Sequence, residues 1–126
     1  MNYDLLLHID DNDPNRLNLA LNNAANYMAA LPDEKFKVVL VANGPAAQLF
    51  GKKASEGEDE RSVKLAQLEK KAAELTAKGL SIRVCRNALN GFCVAEQDLW
   101  PCCEVTCGAM VELVRLQREG YAYVKP

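Results

Sequence analysis

The run Val38-Val39-Leu40-Val41-Ala42 constrains this chain more than any other stretch of it. It is apolar at every position, without polar alternation, so a strand formed here has no solvent face. Such strands belong to parallel sheets covered by helices on both sides. Residues 37–42 are therefore expected as a buried strand. The following Asn43-Gly44-Pro45-Ala46-Ala47 must end it, with Gly44 permitting a tight turn and Pro45 opening a short helix through Phe50.

The rest of the chain alternates in the same way. Residues 3–9 are a compact apolar run, a first strand, followed by the acidic turn Asp10, Asp11, Asn12 and Asp13. Asp13 is placed to cap a helix that begins at Pro14. Its apolar stripe is Leu17, Leu21, Ala24, Met28 and Leu31, and Pro32 and Asp33 end it. Residues 51–60 are polar and acidic and are expected as a mobile surface loop. Residues 63–78 carry a second stripe, Leu65, Leu68, Ala72 and Leu75, closed by Gly79. Residues 80–85 form a third strand and residues 88–99 a short, broken helical passage. Trp100-Pro101 makes a turn, since the residue before proline avoids the helical region. A fourth strand over residues 103–107, a helix from Gly108 to Gly120 and a last strand over residues 121–124 complete the pattern. Strict alternation with short connections implies right-handed crossovers. One α/β unit over residues 1–126 is expected, with a mostly parallel sheet of about five strands.

Composition removes several classes of function. Fifteen basic residues against seventeen acidic ones give a formal net charge of -2, which is no footprint for nucleic acid. No segment is long and apolar enough to span a membrane, and the N-terminus has no basic region of the kind that opens a signal peptide. A soluble cytoplasmic protein is expected. Five cysteines, Cys85, Cys93, Cys102, Cys103 and Cys107, all fall in the C-terminal third. An odd, clustered set fits reduced thiols better than a disulfide framework.

The chemistry-bearing motifs are few. His8 is the only histidine, so no serine, histidine and acid triad is available; a lone histidine in a strand reads as a hydrogen-bonded core or interface residue. No glycine-rich phosphate loop is present. Cys102, Cys103 and Cys107 do not have the paired spacing of a zinc knuckle, so neither metal nor cofactor is expected. A receiver domain is set aside because Cys85 stands where its phosphoacceptor aspartate should be. Cys85 itself ends a strand just before a helical turn, at the usual ligand edge of an open α/β sheet. A helix N-terminus and a nearby cation both favour the reactive thiolate; the competing reading is a buried structural cysteine.

Three segments, taken together in order and spacing, carry a resemblance. They are Val39-Leu40-Val41-Ala42-Asn43-Gly44-Pro45-Ala46; Lys78-Gly79-Leu80 leading to Val84-Cys85-Arg86-Asn87-Ala88-Leu89; and Val111-Glu112-Leu113-Val114-Arg115-Leu116-Gln117 with Gly120-Tyr121-Ala122-Tyr123-Val124-Lys125-Pro126. Over nearly its whole length the chain resembles the DsrE/DsrF-like sulfur-relay proteins, and most of all their single-protein branch. The resemblance implies a three-layer α/β/α fold assembled as a homotrimer or homohexamer. It also implies a persulfide carried on the cysteine after the third strand, which here is Cys85, with sulfur donor and acceptor proteins as partners.

On that reading Arg86 would hold the thiolate or an incoming anion, Asn87 would stabilise charge on the terminal sulfur, and Asn43 and Gly44 would line the same edge. Cys107 is expected beside Cys85, because neighbouring strand ends lie about 5 Å apart, where it would serve as a second thiol. Cys102 and Cys103 are expected as small buried residues and Cys93 as part of the core. Two other functions use the same residues: a non-catalytic oligomeric binding protein with a small-anion or partner pocket, and a thiol redox sensor.

Overall fold

The computed structural model describes residues 1–126. Five strands form one sheet: β1 (Leu5–Ile9), β2 (Val38–Ala42), β3 (Leu80–Cys85), β4 (Cys103–Thr106) and β5 (Ala122–Val124). Their order is β4-β3-β2-β1-β5 and every neighbouring pair is parallel. All five residues of β1 and of β2 are buried, as their unbroken apolar character requires. The helices are α1 (Pro14–Ala30), α2 (Glu60–Ala77), α3 (Arg86–Gly91) and α4 (Ala109–Arg118).

Local chemistry sets the helix ends. The Asp13 carboxylate accepts from the Asn15 N–H at 2.9 Å, with Pro14 at the first helical position. Asp59 caps α2 in the same way through Ser62. Gly79, at φ +119°, takes the left-handed conformation that stops α2. The stripe Leu65, Leu68, Ala72 and Leu75 faces the sheet as expected, and each leucine buried this way contributes about 1.5–3 kcal/mol. Lys64 and Lys71, on the flank of α2, donate to Asn15 and Asn22 of α1 and tie the two helices together.

The two outer layers are unequal. Alternate residues of β1, β2 and β3 (Leu5, Leu7, Ile9; Val38, Leu40, Ala42; Leu80, Ile82, Val84) pack against α1, α2, Leu89 of α3 and Trp100 in the larger core. The opposite face, with Leu6, Val39, Val41 and Cys85, meets α4 alone, through Ala109, Leu113 and Leu116, together with Tyr121. The direction of the crossovers accounts for this. From β1 to β4 the chain steps one way along the sheet, and from β4 to β5 it returns past β1. A right-handed return must therefore use the other face.

Three details depart from expectation. The first half of the segment expected as a mobile loop is built into the fold, since Gly51 is buried and bridges Leu99 and a 3₁₀ turn covers Lys52–Ser55, whereas residues 56–60 are exposed as a surface loop would be. Cys93, expected in the core, is exposed at φ +57° in the turn after α3. That helix is only six residues long, so Cys93 already lies past its end. Cys102 and Cys103 are half-buried rather than buried, against the edge of the larger core.

Candidate functional site

Cys85 closes β3, and the chain leaves it toward the α1/α2 face as α3. The chain leaves the neighbouring β4 toward the other face as α4. Adjacent strands whose connections part to opposite faces open a crevice at their carboxyl ends, the usual ligand site of an open α/β sheet. A pocket of about 460 Å³ lies there, lined by Asn43, Gly44, Cys85, Asn87 and Ala88, and by Gly108 to Val111 at the start of α4. Cys85 keeps only 6% of its surface exposed but contributes to that lining.

Register explains the company Cys85 keeps. Ala42 pairs with Val84, so the next residues, Asn43 and Cys85, stand side by side on adjacent strands. Gly44 follows at φ +56°, a conformation that any side chain would strain, and it turns the chain into the 3₁₀ segment Gly44–Phe50. Asn87 and Ala88 sit in the first turn of α3, whose leading N–H groups have no partners within that helix. The structure therefore brings together Cys85, Asn43, Gly44 and Asn87.

Arg86 and Cys107 are placed elsewhere. The Arg86 guanidinium pairs with Glu96, Nε to Oε2 at 3.0 Å, and its Nη1 lies 3.4 Å from Cys107 Sγ. Neither residue lines the pocket. Thr106 pairs with Cys85 and reaches Glu112 of α4, so it shares the face of Cys85, and strand alternation turns the following Cys107 off that face. The contact that Cys107 makes is with Arg86, on the exposed surface. The hydrogen bond and charge of Glu96, with Cys107 adding to them, raise the Arg86 pKa further and keep it charged. Cys102 and Cys103 are adjacent free thiols that titrate against each other: hydrogen bonding to Cys102 and burial push the Cys103 thiol well up, and the same interaction lowers Cys102. No group of metal-binding side chains is assembled anywhere in the chain.

Sequence reasoning missed the third wall of the pocket, Gly108 to Val111. The signal was Gly108 itself, a small residue between a strand and a helix, but its neighbour across the crevice depends on α4 crossing to the second face. An ion-pair network seats α4 there. Arg83, on β3, pairs with Glu112, which also accepts from Arg115 at 2.5 Å. Burial opposes the Glu112 charge, yet the hydrogen bonds and charges of Arg115 and Arg83 outweigh it, and the carboxyl stays below its ordinary value.

A folded-state value below the unfolded one stabilises the fold above the unfolded pKa, near 4.5, and that stability is lost as the pH falls through the lower folded value. Glu112→Gln is expected to cost about 1–3 kcal/mol at pH 7. In urea unfolding at pH 7 and near pH 3, the gap between variant and parent should narrow markedly at the acid end. An unchanged gap would separate Glu112 from this linkage.

The sequence model of the DsrE/DsrF-like family matches residues 4–126. Two solved structures share the architecture. The chain is similar to MTH1491 from Methanobacterium thermoautotrophicum, a protein of unknown function, with 27% identity and a TM-score of 0.81, covering 99% of this chain and 100% of that one. It is also similar to the ychN protein of E. coli, with 14% identity and a TM-score of 0.67, covering 98% and 99%, a likeness of fold alone. No curated protein matches significantly. No helix is long and apolar enough to cross a membrane. With its match running almost from end to end, and the five-stranded parallel sheet that its structural neighbours share, the chain belongs to the DsrE/DsrF-like family.

Proposed function

We propose that this protein is a sulfur carrier that holds sulfane sulfur as a persulfide on Cys85. The observation that carries the reading is the place of Cys85 at the parting of β3 and β4, where it lines the pocket with Asn43, Gly44 and Asn87. Family membership adds a general link to sulfur relay. In the loading step the Cys85 thiolate attacks the outer sulfur of a donor persulfide, R–S–SH. The S–S bond of the donor breaks, RS⁻ leaves, and Cys85–S–SH remains. In the unloading step an acceptor thiolate attacks that same outer sulfur, takes it with its proton and returns Cys85 as thiolate. Such exchange depends on thiolate character and access rather than on acid or base residues.

The test is intact-mass spectrometry of the protein after exposure to a small persulfide donor, followed by peptide mapping. A gain of about 32 Da, one sulfur atom, on the peptide containing Cys85 is expected. No sulfur gained on any cysteine peptide would leave instead an oligomeric binding protein whose pocket takes an anion or a partner.

Self-association belongs to the same reading. Met110, Val111 and Val114 of α4 are 66%, 73% and 45% exposed and lie on a groove edged by Arg115, Arg118 and Glu119. Apolar residues edged by charges of both signs fit a second copy of this chain. Met110 and Val111 also line the Cys85 pocket, so a copy docked on α4 would border it. In sedimentation velocity a homotrimer or homohexamer is expected for the parent chain. Val114→Glu, at a position outside the Cys85 pocket, should shift the population to monomer. A monomeric parent at high micromolar concentration would remove this part of the reading.

A further inference from the structure

A diagonal of polar groups crosses the α4 face of the sheet and ends at Cys85. Tyr123 of β5 pairs in register with Leu6 of β1, and His8 lies two residues further on. His8 pairs with Val41 of β2, and Asn43 lies two residues further on. Asn43 stands beside Cys85 of β3. Steps of two keep every side chain on one face. Hydrogen bonds join the first three: Tyr123 Oη is 2.6 Å from His8 Nδ1, and His8 Nε2 is 2.8 Å from Asn43 Oδ1.

His8 is only 8% exposed, so both ring nitrogens need their partners. The acceptor Oδ1 of Asn43 places the proton on Nε2, and Nδ1 then accepts from the tyrosine hydroxyl. This holds the Asn43 carboxamide with its oxygen toward His8. Its Nδ2 makes no hydrogen bond within the chain, and the residue lines the Cys85 pocket.

We infer that Tyr123 and His8 are positioning residues that fix the Asn43 amide so that its N–H donors serve negative charge on sulfur at Cys85. The inference rests on the sulfur-carrier reading for its biological meaning, but the geometry concerns the thiolate as well as the persulfide. Amide donors held in place stabilise an anion without reorganising when it forms. A free asparagine in a solvent-open pocket would rotate, and its oxygen would face the sulfur as often as its nitrogen. The chain His8–Tyr123 removes that freedom. The last strand thereby gains a second role, because β5, a three-residue edge strand, delivers the hydroxyl that orients His8.

The experiment measures the rate at which iodoacetamide alkylates Cys85 at fixed pH, read from the Cys85 peptide so that exposed Cys93 and Cys107 do not count. His8→Leu keeps the bulk and breaks the chain; about a threefold slower rate is expected, because losing one charge-assisted hydrogen bond cuts the thiolate population about tenfold while the more basic thiolate attacks about threefold faster. His8→Gln, whose amide nitrogen can take the place of Nε2, should return the rate to that of the parent, as a lost hydrogen bond remade. Tyr123→Phe, at a half-exposed edge position, should slow Cys85 in the same direction by less.

Parent-like rates in His8→Leu, or equal slowing in His8→Leu and His8→Gln, overturn the inference. If His8→Leu does not fold, Tyr123→Phe and His8→Gln decide, and a Tyr123→Phe rate equal to the parent overturns it. The assay needs no sulfur donor. Failed persulfide loading of the parent therefore counts against the carrier reading alone, and unchanged alkylation counts against the relay alone.

Discussion

Cys85→Ser is expected to abolish persulfide loading while leaving the protein folded. Serine fits the space, because Oγ is smaller than Sγ and Cys85 belongs to the minor core, with Val41 and Ala109 among its members. The hydroxyl is a far weaker nucleophile at neutral pH and forms no persulfide. The gain of about 32 Da after exposure to a donor should therefore disappear completely. Cys93→Ser and Cys107→Ser should load as the parent does, since neither residue lines the Cys85 pocket. The Cys107 comparison matters most. Cys107 is exposed and lies 3.4 Å from the Arg86 guanidinium, an arrangement that would also suit a reactive thiol. Loading that survives Cys85→Ser and vanishes in Cys107→Ser would move the proposed site to the Arg86 cluster. Circular dichroism and thermal melting of each variant distinguish loss of chemistry from loss of fold.

Trp100→Ala should produce the largest loss of stability. Trp100 is fully buried, and its ring meets Phe50 edge-on with centroids 5.3 Å apart. Its backbone N–H donates to the Phe50 carbonyl at 2.9 Å, and the neighbouring Leu99 bridges Gly51. The indole thus plugs the seam between the segment after β2 and the segment before β4. Truncating it to alanine is expected to cost roughly 3–5 kcal/mol, out of a total stability on the order of 5–15 kcal/mol for a domain of this size. At about 4 °C per kcal/mol this lowers Tm by roughly 12–20 °C.

Trp100→Phe should recover more than half of the loss. Nε1 of Trp100 is buried without a hydrogen-bond partner, so phenylalanine forfeits no bond and removes an unsatisfied donor. Urea midpoints of the three proteins measure this, and a Trp100→Ala midpoint close to the parent's would show that the seam collapses around the gap.

How much of the fold is legible in the sequence follows from which interactions are local. The unbroken apolar run 38–42 implies a strand buried on two faces, and β2 is buried at all five positions. Asp13-Pro14 and Gly79 mark helix ends because capping involves only near neighbours in the chain. The expected boundaries of the third strand, residues 80–85, coincide with β3. By contrast, Gly51 reads as loop because its burial depends on Leu99, far along the chain. Cys93 reads as core because the length of α3 is not written in its apolar residues.

At the site, the sequence alone determined that Cys85 would end a strand at the rim of a parallel sheet, since hydrophobic pattern and turn residues are properties of short segments. It also determined that Asn43 and Gly44 would end the neighbouring run. Only the tertiary structure decided which side chains meet there. It turned Arg86 and Cys107 toward Glu96 and the surface, brought the start of α4 over the crevice, and joined His8 to Tyr123 across 115 residues. The physical reason is that strand order and register select the face and the level of each side chain. Both arise from burying the whole sheet at once rather than from any one segment.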